Sequence, residues 1–159
     1  MSIIIGIDPG TTTVGFAIMA LEKNYREVLN YGIIETKPKE KLELKLVDIV
    51  NDLEEIIEKY KPTIAGVEKL FFTNNQKTGI DVAHARGAIL QTLAKKGIHI
   101  YEFTPLQVKK GICGNGSANK LQVQKALKLI LKMNELPKPD DAADAIAIAY
   151  IASLQKRLI

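Results

Sequence analysis

The chain opens on apolar runs of strand character and changes period only after residue 40. Ser2 to Asp8 is a β-branched run that stops at Pro9 and Gly10, and Thr12 to Ala20 and Glu27 to Glu35 follow as further strand-like segments separated by polar turn residues. Such a succession predicts a meander. Leu42, Leu46, Ile49, Val50, Leu53, Ile56 and Ile57 then recur at helical spacing with charged residues between them, which predicts a helix over 42–60 that Pro62 ends. Thr63 to Val67 predicts a short strand closing on Glu68, Lys69 to Lys77 a loop, Asp81 to Lys96 a second helix and Ile98 to Phe103 a fifth strand. The glycine-rich stretch from Gly111 to Lys120 reads as a loop. It leads into a lysine-bearing helix ending near Met133, and Asp141 to about Gln155 predicts the last helix. The order β-β-β-α-β-α-β-α-α gives an α/β fold, a mixed five-stranded sheet flanked by helices. Neither a repeat nor a linker divides the chain, so residues 1–159 are expected to form a single domain.

Composition narrows the picture. With 159 residues, 47% of them hydrophobic and 25% charged, the chain can bury its own core. Its apolar stretches, Ile3 to Ile7 and Ala145 to Ala152, are too short for a bilayer and no signal-peptide pattern is visible, so a cytoplasmic location is expected. Cys113 is the sole cysteine, which excludes an intrachain disulfide and a cysteine-rich zinc site. The net charge of +4 is unevenly spread: Lys95, Lys96, Lys109, Lys110, Lys120, Lys125, Lys128 and Lys132 face a single acid in that span, Glu102. A run of this kind is either a solvated helix face or a surface for a polyanion.

Four carboxylates carry the candidate chemistry. Asp8 ends the first strand and Glu68 the fourth; if those strands are parallel neighbours, both emerge on the sheet edge where open α/β sheets place their sites. Asp141 and Asp144 are three apart on a helix and so project from one face, while Ala142, Ala143, Ala145, Ile146, Ala147, Ile148, Ala149 and Ile151 make that helix apolar nearly all round. Each acid has an ordinary alternative: Asp8 and Glu68 as turn or cap residues, Asp140 and Asp141 as residues satisfying the free amides of a helix start. Asp144, a full turn in, fits that alternative less well. Gathered at one spot, the four would need protons or divalent cations to relieve their repulsion. All-oxygen ligation favours Mg²⁺ first and Mn²⁺ as a substitute, and two such ions about 4 Å apart suit in-line phosphodiester hydrolysis.

Read in order, GIDPGTTTVGFA at Gly6 to Ala17, VEKLFF at Val67 to Phe72, ARGAI at Ala85 to Ile89, QVKKGICGNGSANKLQVQ at Gln107 to Gln124 and DDAADAIAIA at Asp140 to Ala149 resemble the RuvC Holliday-junction resolvases. The resemblance implies a ribonuclease H-like fold, a homodimer, and paired symmetric nicks across a four-way DNA junction assisted by Mg²⁺, in partnership with a branch-migration helicase complex of the RuvA and RuvB type. By motif position it places Asp8, Glu68, Asp141 and Asp144 on the family's metal-binding carboxylates and leaves Asp140 as the helix cap. Phe71 falls on an aromatic that stacks on a base near the crossover, and Lys109 and Lys120 on basic residues that act on DNA near the cut, Lys120 in catalysis. Taken alone, Phe71 is either a stacking platform or a loop anchor, and the two lysines could be solvated. His84 departs from the family pattern and reads as an interface or surface residue. The competing classes are a YqgF-type RNA-processing nuclease, a junction-binding module that does not cut, and a sugar-kinase-like ATPase. The GSANK stretch and the acids three apart count against the first, the presence of all four carboxylates against the second, and room for only one such domain against the third.

Overall fold

The structure, a computed structural model, describes residues 1–70 and 76–155. Strands β1 (Ser2–Asp8), β2 (Thr13–Glu22), β3 (Tyr25–Glu35), β4 (Ile64–Glu68) and β5 (His99–Phe103) form one sheet in the order β3-β2-β1-β4-β5. β1 to β3 are an antiparallel meander, and β4 and β5 continue the sheet parallel to β1. Central β1 is covered on both faces, which is why it reads as an unbroken apolar run rather than an alternation. Ile5 and Ile7 point towards α1 (Leu42–Tyr60) and α2 (Gln76–Lys95), where Ile49, Leu53, Ile89 and Leu93 meet them; Ile4 points the other way, into a core built with α3 (Pro105–Cys113), α4 (Lys120–Ile130) and α5 (Asp140–Leu154).

The expected architecture is present, with one helix more than the sequence order predicted. Gly111 to Cys113, expected in a loop, belong to α3. That helix is started by Thr104, whose side chain accepts from the Gln107 amide while Gln107 returns the bond to the Thr104 backbone, with Pro105 in its first turn. Val108 and Ile112, four apart, are its buried stripe. A Cβ on Gly111 would stand 2.3 Å from Ile151 Cδ1, so this glycine marks close helix packing rather than a loop. The loop itself is confined to Gly114–Asn119, and α2 begins at Gln76, five residues earlier than Asp81.

α5 lies directly on the sheet because two strands beneath it lack side chains where it crosses. A Cβ on Gly6 of β1 would sit 2.1 Å from the Ala145 carbonyl oxygen, and one on Gly15 of β2 would sit 1.9 Å from that of Asp141. The alanines of α5 complete the close fit, with Ala142, Ala145 and Ala149 fully buried. The first turn of α5 is thereby pressed against the strand residue paired with Asp8, since Asp8 is opposite Gly15.

Candidate active site

Asp8 and Glu68 are the last residues of parallel neighbours, so their side chains leave the sheet at one edge, as the sequence pattern anticipated. α5 brings Asp141 and Asp144 down on the same edge. Carboxylate oxygens of Asp8, Asp141 and Asp144 all lie within 4.8 Å of one another. Glu68 joins through a hydrogen bond with Asp8, which is also hydrogen-bonded with Asp144. Two unit charges 4.8 Å apart repel by about 3 kcal/mol at an effective dielectric of 20, so full ionisation of the cluster is costly. Burial first, then the Glu68 hydrogen bond and charge, push the Asp8 carboxyl up to about 8. Burial and the charge of Asp8 push Asp144 up to about 7. Glu68 also rises, chiefly through burial, against the lowering effect of its bond with Asp8 and of the Lys120 charge.

Several residues that the sequence did not single out hold this cluster. Thr13 Oγ1 donates to Asp141 Oδ2 at 2.8 Å, tying the start of β2 to the start of α5. Arg86 of α2 donates from Nε to the Glu68 backbone carbonyl at 3.0 Å and from Nη2 to Glu102 at 2.6 Å, which fixes the end of β4. Neither contact has a local signature, because the partners are 128 and 18 residues apart in the chain.

Lys120 is the first residue of α4, positioned by an Asn119–Gln122 capping box, and its charge is felt at both Glu68 and Asp144. Its Nζ stands 3.7 Å from Asp140 Oδ2, while Gln124 donates to the other Asp140 oxygen at 3.0 Å. Asp140 is therefore not the helix cap. Pro139 occupies that position without a side-chain bond, and Asp140, one residue inside, instead faces α4. Lys109 lies half-buried on α3 with no ion pair among the described residues. Phe71 falls outside the described residues. Cys113 is half-buried against the α3–α5 core, and His84 is exposed on α2.

The donor set suits a divalent cation: oxygen ligands only, more negative charge than the neighbouring Lys120 can offset, and carboxyls whose burial, then mutual repulsion, raises their hold on protons. A pH dependence follows. Without metal, folded Asp8 and Asp144 hold protons up to about 8 and about 7 that the unfolded chain releases near 3.8, so the folded state binds more protons across that window and stability falls as pH rises through it. In chelator, thermal melts are expected to show a lower Tm at pH 8 than at pH 5, at about 2–4 °C per kcal/mol for a domain of this size. Divalent metal should restore Tm at pH 8 with release of protons. A chelated protein that becomes more stable from pH 5 to 8 would contradict the reading of the cluster.

A mixed sheet in this strand order, with carboxylates converging from β1, β4 and the final helix, defines a ribonuclease H-like nuclease. The sequence profile of the family described as "Crossover junction endodeoxyribonuclease RuvC" matches residues 4–152. The chain is 47% identical over 156 residues to the protein of that name from Halothermothrix orenii, covering 98% of this chain and 94% of the relative. It is 45% identical over 148 residues to the one from Petrotoga mobilis, covering 93% and 91%. The structure of Thermus thermophilus RuvC in complex with a Holliday junction substrate superimposes with a TM-score of 0.92 at 30% identity, over 99% of this chain and 96% of that one. The yeast mitochondrial Holliday junction resolvase shares the fold at a TM-score of 0.70 and 13% identity. This chain belongs to the RuvC family of crossover junction endodeoxyribonucleases.

Proposed function

We propose that this protein is an endonuclease that resolves four-way DNA junctions by paired symmetric nicks, in homologous recombination and DNA repair. The observation that carries the reading is the meeting of Asp8, Glu68, Asp141 and Asp144 at one sheet edge in a chain that matches the resolvase family over nearly its full length. These four residues are the ligands for Mg²⁺, with two ions per site and Mn²⁺ as a substitute. Bound there, the metal would supply charge neutralisation and activation of water for phosphodiester hydrolysis. The protein's part is placement. Thr13 orients Asp141, Arg86 fixes the strand end that carries Glu68, and Lys120 places a positive charge beside the carboxylates to stabilise negative charge developing on the phosphate. Lys109 contacts the DNA backbone, and Phe71 stacks on an unpaired base at the crossover. Incubation with a labelled four-way junction and Mg²⁺, beside a linear duplex, tests the reading; equal cutting of both, or of neither, defeats it.

The protein acts as a homodimer, one site for each of two equivalent strands. On α2 the core is served by Ala85, Ile89 and Leu93, and Leu90, expected on the outward apolar surface, packs partly buried against that core; Ile80, Ala83, Gly87 and Ala94 are exposed, so the small-residue stripe faces away from the protein's own sheet. Ile80 is 55% exposed and adds a large apolar side chain to that stripe. Sedimentation at micromolar concentration is expected to give twice the chain mass, and Ala83→Glu with Gly87→Glu to give one. A parent that sediments as a single chain overturns this. The 1–159 chain works as a single domain in the cytoplasm, alongside a branch-migration motor of the RuvA and RuvB type; among the described residues, no helix is long and apolar enough to cross a membrane.

A further inference from the structure

On the opposite side of the catalytic edge from α5, α1 carries an anomaly. Its buried stripe runs Lys45, Ile49, Leu53, Ile57, so a lysine occupies the first place of an otherwise apolar row. Lys45 is 8% exposed, and among the described residues it has no carboxylate partner. Among the described residues its one hydrogen bond is a donation from Nζ to Thr12 Oγ1 at 3.3 Å, so two of three ammonium donors have no partner there. The contact is half-buried, and a single neutral acceptor leaves most of the ammonium's hydrogen-bonding capacity free for an anion.

The loop it touches has its carbonyls bonded and, among the described residues, a hydroxyl proton free. Both backbone acceptors at its tip are turned inwards: the Thr11 carbonyl accepts from Thr36 Oγ1 at 2.5 Å and the Thr12 carbonyl accepts from the Thr36 amide at 2.9 Å. Since Thr12 Oγ1 accepts from Lys45, its own proton must be directed elsewhere, and among the described residues nothing accepts it. The adjoining 37–41 segment adds exposed Lys37, Lys39 and Lys41, with Glu40 among them. Thr13 opens β2 and reaches Asp141, while Thr12, in the bend just before it, meets Lys45 of α1, one residue away from the carboxylate cluster.

We propose that Thr12 and Lys45 form a phosphate subsite, which takes a phosphodiester of the DNA strand next to the one being cut and so sets the register of that strand over the carboxylates. This rests on the junction-cleaving reading above. The subsite is a backbone contact and carries no sequence preference.

The test is binding of a labelled four-way junction in Ca²⁺ across a salt series, with single methylphosphonates placed at each phosphate around the cut. For the parent, one neutralised phosphate adjacent to the cut is expected to weaken binding by roughly tenfold, as loss of a charge-assisted contact would. Lys45→Met should weaken binding to the unmodified junction by a similar factor, lower the slope of log K against log salt by about 0.9, and be indifferent to that methylphosphonate. Thr12→Val, which keeps the side-chain shape, should show the same indifference and decides the matter should Lys45→Met fail to fold. Variants that keep the parent's phosphate profile overturn the subsite, whatever their melting temperatures. Cutting by the parent in Mg²⁺ is scored separately: a parent that binds but never cuts refutes the nuclease reading, whereas a cutting parent with unaltered variants refutes only the subsite.

Discussion

Asp8→Asn, Glu68→Gln, Asp141→Asn and Asp144→Asn are each expected to reduce junction cleavage in Mg²⁺ by orders of magnitude while leaving junction binding in Ca²⁺ or chelator intact or stronger. Each amide keeps the shape and removes one negative charge from an all-oxygen donor set, so the metal is held less tightly. Binding improves because the same charge faces phosphate. In chelator the Asp8 and Asp144 variants should also melt higher than the parent at pH 8, since burial and mutual repulsion raise those two carboxyls and the amides remove that cost. Asp140→Asn is not a neutral control, because that carboxylate accepts from Gln124 and faces Lys120; exposed Asp48 on α1 supplies one. Near-parental cutting by Glu68→Gln or Asp144→Asn, measured on a four-way junction, would remove that residue from the site.

Gly15→Ala is expected to be nearly as damaging without touching a single reacting group. The new Cβ would lie 1.9 Å from the Asp141 carbonyl oxygen and 2.5 Å from its carbon, so the start of α5 must lift off β2. Overpacking of this kind costs about 1–3 kcal/mol, and a displacement of about 1 Å at reacting groups costs on the order of a hundredfold in rate. Cleavage should therefore drop by roughly a hundredfold or more, with a Tm several degrees lower and a weaker response of Tm to added metal. Gly32→Ala is the comparison: its Cβ meets only the Phe16 ring at 3.3 Å, a side chain that can give slightly, and it should cut at near the parent rate. Equal behaviour of the two variants in thermal melts and junction cutting would mean that the closeness of α5 to β2 does not matter to the site.

Much of this protein was legible before folding because its signals are local and periodic. The β-branched run ending at Asp8, the two strand-like segments that follow it across polar turns and the helical period over 42–60 give the element order, and Asp8, Glu68, Asp141 and Asp144 stand out by their places at strand ends and on one helix face. Helix α3 is not legible in the sequence because its hydrophobic face is two residues, Val108 and Ile112, and its glycine looks like a breaker although Ile151 is pressed against it. By its position alone Asp140 reads as the helix cap. The backbone instead made Pro139 the cap and turned Asp140 towards Gln124 and Lys120 on another helix.

What folding added is long-range by nature. Nothing within a few residues of Thr13 announces a bond to Asp141, and nothing near Arg86 announces the Glu68 carbonyl. Lys45 looks like any charged position on a surface helix until the register of α1 places it in the buried stripe beneath Thr12. Local period fixes which residues share a face, since it depends only on backbone repeat. Which face meets which, and how closely, depends on sheet order and on the absence of side chains at Gly6 and Gly15, where the backbones of distant segments touch. The raised proton affinities of Asp8 and Asp144 belong to that same level, because burial and neighbouring charge exist only once β1, β4 and α5 have come together.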